Sequence, residues 1–161
     1  MGSGKTHWGK LVAHRLQMPF YDLDEVIVGN ENLSVAEIFG SFGEEYFRMK
    51  EKEALEKLVE SGDSMVVSCG GGTPCFFNNI DYMKKYGIVV WLNTHVDILL
   101  HRLMKERMQR PLLKDLRDDE LRNYIIRKLN ERRMYYEQAD VIIEKEDAIS
   151  MNDFIQTVLH A

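Results

Sequence analysis

Apolar residues recur along this chain with two alternating periods. Trp8, Leu11, Val12 and Leu16 fall at helical spacing and predict a helix over about Lys5–Gln17. Pro19 ends it, and Phe20-Tyr21 begins a short strand that stops at Asp22. A long helical stretch follows from about Ser34 to Glu60, interrupted near Gly40 or Gly43. SMVVSC at 64–69 reads as a buried strand running into three glycines. A short helix over Asn78–Tyr86 precedes a second buried strand, Ile88–Leu92. Helices over Val96–Arg107 and Asp118–Tyr136, a strand at Val141–Ile143 and a helix over Met151–Leu159 complete the pattern.

This alternation predicts an α/β fold, a parallel sheet covered by helices on both faces. Ligands of such sheets bind at the carboxyl ends of the strands. That rule selects Asp22 and Asp24, then Gly70–Gly72, then Asn93. The segment from about Met108 to Asp118 joins two helices and carries Arg110, Pro111 and Lys114, so it is expected to act as a lid.

Composition narrows the function. A length of 161 residues suits one domain. The net charge of −5 gives no general basic field for nucleic acid. No apolar run is long enough to span a membrane, and no signal peptide is read at the start, so the expectation is a cytoplasmic protein. Cys69 and Cys75 lie outside zinc spacing and are expected to be reduced thiols.

Six segments carry candidate chemistry. Gly2-Ser3-Gly4-Lys5-Thr6 ends as a phosphate-binding loop does, in G-K-[ST], and opens a helix. The loop backbone and helix N-terminus suit phosphate oxygens, Lys5 supplies a point charge, and the Thr6 hydroxyl suits magnesium. YDLD puts Asp22 and Asp24 two apart at a strand end, where an extended backbone would turn both carboxylates to one site. The alternative is an N-cap followed by a first-turn acid. Arg48 has Glu44 four residues before it and Glu51 three after, spacing that could fix its guanidinium for a ligand carboxylate. The triple glycine presents bare backbone for close approach of a ligand. Arg110, in RPLL, and Arg132, near a helix end, are further cations.

Taken in order, these segments resemble the shikimate kinase family. Gly2–Thr6, Asp22–Asp24, Gly43–Glu51, Gly70–Gly72, Arg110–Leu112 and Arg132–Tyr136 follow its succession of motifs along essentially the whole chain. The resemblance implies a three-layer P-loop kinase fold, with a parallel sheet of order 2-3-1-4-5. It implies one kinase domain over 1–161, with substrate-binding helices at about 22–61 and the lid at about 108–118. The implied activity is ATP-dependent phosphorylation of the shikimate 3-hydroxyl, in aromatic amino-acid biosynthesis.

The implied roles are these. Gly2, Ser3, Gly4, Lys5, Thr6, His7, Arg102 and Arg110 contact ATP. Thr6 and Asp22 hold Mg2+. Asp24 is the base and contacts shikimate, together with Arg48, Gly70, Gly71, Gly72 and Arg132. Glu51 supports Arg48, and Lys5, Asp24 and Arg110 take part in the chemistry. The expected partners are ATP and shikimate, with neither nucleic acid nor membrane, and the expected state is a monomer. Two departures stand out. The first, central strand of the family order and the first loop glycine are absent, so an N-terminally truncated chain is expected, with the strands ending at Cys69 and covering 88–92 flanking the gap. Lys145-Glu146-Asp147 lacks the basic residue often found near adenine. The competing readings are another small-molecule P-loop kinase, such as a gluconate kinase, and a chain that binds substrate without turnover.

Overall fold

The computed structural model describes residues 2–106, 116–144 and 149–160. Arg110, most of the expected lid and Lys145-Glu146-Asp147 lie outside them. The chain divides into two compact units: Lys5–Tyr86, and residues 2–4 together with the described part of Gly87–Ala161.

In the Lys5–Tyr86 unit, α1 (Lys5–Leu16) packs on two parallel strands, β1 (Phe20–Asp22) and β2 (Val66–Ser68). The register pairs Phe20 with Val66 and Asp22 with Ser68. The strand ends carrying Asp22 and the triple glycine are therefore level. Between the strands run α2 (Leu23–Glu31) and α3 (Val35–Glu60), packed on one another. Their core is Leu23, Ile27, Ile38, Phe47, Ala54 and Leu55, joined by Val67 from β2. A 3-10 turn at Thr73–Cys75 and α4 (Asn79–Tyr86) close the unit.

Helix α3 starts on a full capping box. The Ser34 hydroxyl accepts from the Glu37 N–H, and the Glu37 carboxylate accepts from the Ser34 N–H at 2.8 Å. The helix bends where Gly43 takes φ 82°, a conformation that costs other residues strain. Of the two breaks expected, Gly43 is the one; Gly40 is helical.

The other unit contains β3 (Val90–Asn93), α5 (Val96–Glu106), α6 (Asp118–Tyr136), β4 (Val141–Glu144) and α7 (Met151–Leu159). β3 and β4 are parallel, pairing Val90 with Val141 and Asn93 with Glu144. Leu99 and Leu103 of α5 meet Leu121 and Ile125 of α6 in a second core. The order 2-3-1-4-5 sets its second strand beside its third and its fourth beside its fifth; β1–β2 and β3–β4 are those two pairs. No helix among the described residues is long and apolar enough to cross a membrane.

One helix, α2, is not among the elements expected from periodicity. At nine residues, with Val26, Val28 and Gly29 inside it, it has weak helical propensity. Its ends define it instead: Asp22 caps the start, and Asn32 ends it in the left-handed conformation, its N–H bonded to the Val28 carbonyl.

Gly9 of α1 sits against the Phe20 ring of β1. A Cβ there would lie 2.6 Å from the Phe20 ring. We predict that Gly9→Ala lowers Tm. The overpacking costs about 1–3 kcal/mol, against a helical gain of at most about 1 kcal/mol. Gly40→Ala, with nothing within 4 Å of its Cβ position, should raise Tm instead. Thermal melts of both variants check this; a Tm for Gly9→Ala at or above the parent's would contradict the close approach.

Candidate active site

Asp22, the last residue of β1, serves two neighbours at once. Its Oδ1 accepts from the Asp24 N–H at 3.2 Å, which caps α2, and its Oδ2 accepts from the Thr6 hydroxyl at 2.9 Å. Asp24 is thus not on an extended strand, as its spacing suggested, but in the first turn of α2. The turn into the helix, rather than the pleat, brings the two carboxylates together. Burial raises the Asp24 pKa above its ordinary value; the like charges of Asp22 and Glu51 add to this, while Lys5 and Arg48 oppose it.

Arg48 lies on α3 and is held as its spacing predicted. Its Nε and Nη2 donate to Glu44 Oε1 at 3.1 and 2.9 Å, and its Nη1 donates to Glu51 Oε2 at 2.6 Å. The two acceptors differ in setting: the Glu44 side chain is 57% exposed, whereas those of Arg48 and Glu51 are 8% and 1% exposed. Burial tends to discharge Arg48, but the carboxylates and their hydrogen bonds prevail and raise its pKa. Phe76 faces the guanidinium with its ring centroid 4.7 Å away, and Phe47 and Phe39 stand at 5.4 and 5.9 Å. Three of the five guanidinium N–H groups are engaged. The other two have no protein acceptor among the described residues.

The triple glycine accommodates this ion pair. A Cβ on Gly72 would stand 2.6 Å from Cζ, Nη1 and Nη2 of Arg48. A Cβ on Gly70 would stand 2.7 Å from Glu51 Oε1 and 3.5 Å from Asp24 Oδ1. So at least two of the glycines leave room for the protein's own side chains, a constraint that bare-backbone reasoning does not reveal. Next to them the Thr73 hydroxyl donates to Glu51 Oε1 at 2.6 Å, and Asn79 Nδ2 donates to the Thr73 carbonyl at 2.9 Å. Thr73, Phe76 and Asn79 were not candidates from the sequence. The only signal was their position directly after the glycines.

The Lys5–Tyr86 unit thus brings Lys5, Thr6, Asp22, Asp24, Arg48, Glu51 and the triple glycine into one neighbourhood. His7 is exposed, with its ring edge-on to Trp8 at 6.3 Å. Cys69 is pushed up to about 12, chiefly by burial and then by Glu51, so its thiol stays protonated; the two cysteines are not joined in a disulfide. In the other unit Gly2 and Gly4 take φ 69° and 83°, and the loop carbonyls are tethered: Gly2 O accepts from Arg102 Nη1 at 3.1 Å and Ser3 O from the Thr94 hydroxyl at 3.5 Å. Arg132 is half-buried on α6 and makes no ion pair with a described residue. No cluster of three or more His, Cys, Asp or Glu that could hold a metal occurs among the described residues. Thr6 and Asp22 do offer two adjacent oxygens of the hard kind that magnesium prefers, and that ion takes most of its ligands from water and phosphates.

A family model described as SKI: Shikimate kinase matches residues 1–161. The shikimate kinase of Azobacteroides pseudotrichonymphae is 36% identical over 161 residues, which cover 99% of this chain and 93% of that protein. That of Bacteroides thetaiotaomicron is 41% identical over 147 residues, 91% and 83% of the two chains. Among solved structures, the Bacteroides thetaiotaomicron shikimate kinase superposes with a TM-score of 0.85 at 37% identity, covering 99% of this chain and 90% of that one. Shikimate kinase from Acinetobacter baumannii in complex with shikimate gives 0.84 at 32% identity, covering 99% and 87%.

The Asp24 environment has a consequence for stability. A carboxyl whose pKa is raised by folding stabilises the fold while protonated and loses that contribution as pH rises through its folded pKa. At pH 7 the ionised Asp24 is therefore a cost. We predict that Asp24→Asn raises Tm at pH 7, by about 2–4 °C if roughly 1 kcal/mol is relieved. The gain should vanish below the ordinary aspartate value of 3.8. Melts across pH check this; a variant less stable than the parent at pH 7 would contradict the crowding of Asp24 by carboxylates.

Proposed function

The chain belongs to the shikimate kinase family, and from that premise we propose how its residues divide the work of the reaction. The activity is ATP-dependent phosphorylation of shikimate, a transferase step in aromatic amino-acid biosynthesis, in which the 3-hydroxyl oxygen bonds to the γ-phosphorus and ADP leaves.

Asp24 accepts the hydroxyl proton as the oxygen attacks. Its raised pKa supports this, because a base works best with a pKa nearer the working pH. Arg48 takes the shikimate carboxylate on the two N–H groups that Glu44 and Glu51 leave. Arg132 is the second carboxylate ligand, and Gly70, Gly71 and Gly72 line the sugar-like ring of the substrate, with Gly71 donating its N–H. Lys5 and the backbone of Gly2, Ser3, Gly4 and Thr6 hold the ATP phosphates. The raised φ values of Gly2 and Gly4 suit a backbone curled around an anion.

Mg2+ is the cofactor of this scheme: bound with ATP, it neutralises charge on the phosphates. Thr6 and Asp22 are the residues that would hold it, directly or through its waters. His7 and Arg102 belong to the nucleotide side. Arg110, outside the described residues, is the lid arginine by the resemblance alone. Residues 1–161 act as one kinase domain, in line with the span of the family match. A monomer in the cytoplasm is the simplest setting, with no nucleic acid or membrane as partner.

The observation that carries this assignment is a buried, preset arginine in the same cluster as a carboxylate with a raised pKa. It matches a substrate bearing both a carboxylate and a hydroxyl to be phosphorylated. We predict ADP release dependent on shikimate, and much slower release with quinate or gluconate, in a coupled assay. Equal or faster turnover of gluconate would overturn the assignment. Arg48→Ala should weaken shikimate binding by about ten- to a hundredfold while sparing ATP. A loss of ATP affinity alone would remove Arg48 from the carboxylate site.

A further inference from the structure

The Glu51 carboxylate is held at both oxygens. Oε2 accepts from Arg48 at 2.6 Å, and Oε1 accepts from the Thr73 hydroxyl, also at 2.6 Å. Thr73 and Glu51 are 0% and 1% exposed, so no water competes for either bond. We infer that Thr73 is a positioning residue for the substrate carboxylate: its hydroxyl fixes one Glu51 oxygen so that the other sets the plane of the Arg48 guanidinium.

The geometry makes the hydroxyl a rigid donor. Thr73 is anchored on both sides of its Cα: its N–H donates to the Gly70 carbonyl at 3.1 Å, and its own carbonyl accepts from Asn79 Nδ2 at 2.9 Å. Asn79 is itself buried, at 2% exposure. A Cβ on Gly70 would come within 3.2 Å of the Thr73 oxygen and 2.7 Å of Glu51 Oε1, so the glycine vacates the space over this hydrogen bond. With the hydroxyl removed, the terminal torsion of Glu51 is set by one contact instead of two. That torsion is broad and soft. Rotation of the carboxylate would turn Arg48 Nη1 with it, and a planar fork loses bidentate aim when its plane tilts. Besides Thr73, the hydrogen-bond partner of Glu51 is Arg48, so the lever should reach the substrate carboxylate and not the nucleotide.

This inference rests on the proposed role of Arg48 as the carboxylate ligand. Its test is calorimetric titration of the parent, Thr73→Val and Thr73→Ser with shikimate and with the methyl ester of shikimate, which carries no charge at that group. Valine keeps the shape and loses the donor; serine keeps the donor. We expect Thr73→Val to weaken shikimate binding about tenfold, to leave the ester and ATP within about twofold of the parent, and Thr73→Ser to restore shikimate binding. If the valine variant does not fold, Thr73→Ala makes the same comparison against Thr73→Ser. A hydroxyl serving the fold alone would lower Tm and weaken both ligands alike, or neither, and either result would overturn the inference. A parent that does not prefer shikimate to its ester would instead overturn the carboxylate role of Arg48, and with it this inference.

Discussion

The ion pair between Arg48 and Glu51 is the constraint around which the rest of the site is arranged. Taking two charges out of water costs several kcal/mol per ion, and only good geometry with further hydrogen bonds offsets it. Here the further bonds come from Glu44 and Thr73. The bulk that would otherwise collide with the pair is removed at Gly70 and Gly72. Phe76, Phe47 and Phe39 surround the guanidinium, where ring faces attract a cation and keep water away. A buried arginine with its plane fixed in advance has little entropy left to lose when a carboxylate arrives, and that preparation is worth affinity. The surface ion pairs, such as Lys52 with Glu56 or Arg127 with Glu131, are exposed and contribute little by comparison.

The same cluster links stability to chemistry. Asp22, Asp24 and Glu51 are three carboxylates sharing the field of Lys5 and Arg48, and Asp24 carries the strain of that crowding in its raised pKa. Asp22 accepts from the Thr6 hydroxyl and from the backbone N–H of Asp24. Two aspartates two positions apart are thereby placed in different settings, one capping α2 and accepting from Thr6, the other crowded by carboxylates. Their environments differ, not their identity, and such separation is a recurrent way to assign acid–base roles.

Much of this was legible in the sequence because it is local. The limits of α6 and α7, the bend near Gly43 and the clasp on Arg48 all follow from relations within one helix, where residues three and four apart must meet. The glycine loop ahead of α1 was legible because few other residues take the positive φ of Gly2 and Gly4. What escaped was long-range or set by caps. α2 owes its existence to Asp22 and Asn32 rather than to its weak apolar pattern. The Thr73–Glu51 bond joins residues 22 positions apart, and no periodicity connects them. The glycines stood out as bare backbone open to a ligand, but nothing in the sequence showed what stands against them. They make room for a side chain brought in from α3, which only the tertiary structure brings there.

Glu51→Gln tests the central claim most directly. The amide keeps the size of the side chain and an oxygen to accept from Arg48, but removes the charge that makes burial of the guanidinium tolerable. Isothermal titration of this variant with shikimate should show affinity reduced by about ten- to a hundredfold, while its affinity for ATP stays near the parent's. Glu44→Gln, at the exposed partner, should change shikimate affinity by less than about fivefold. Parent-like shikimate binding by Glu51→Gln, or a larger loss at Glu44 than at Glu51, would contradict the account.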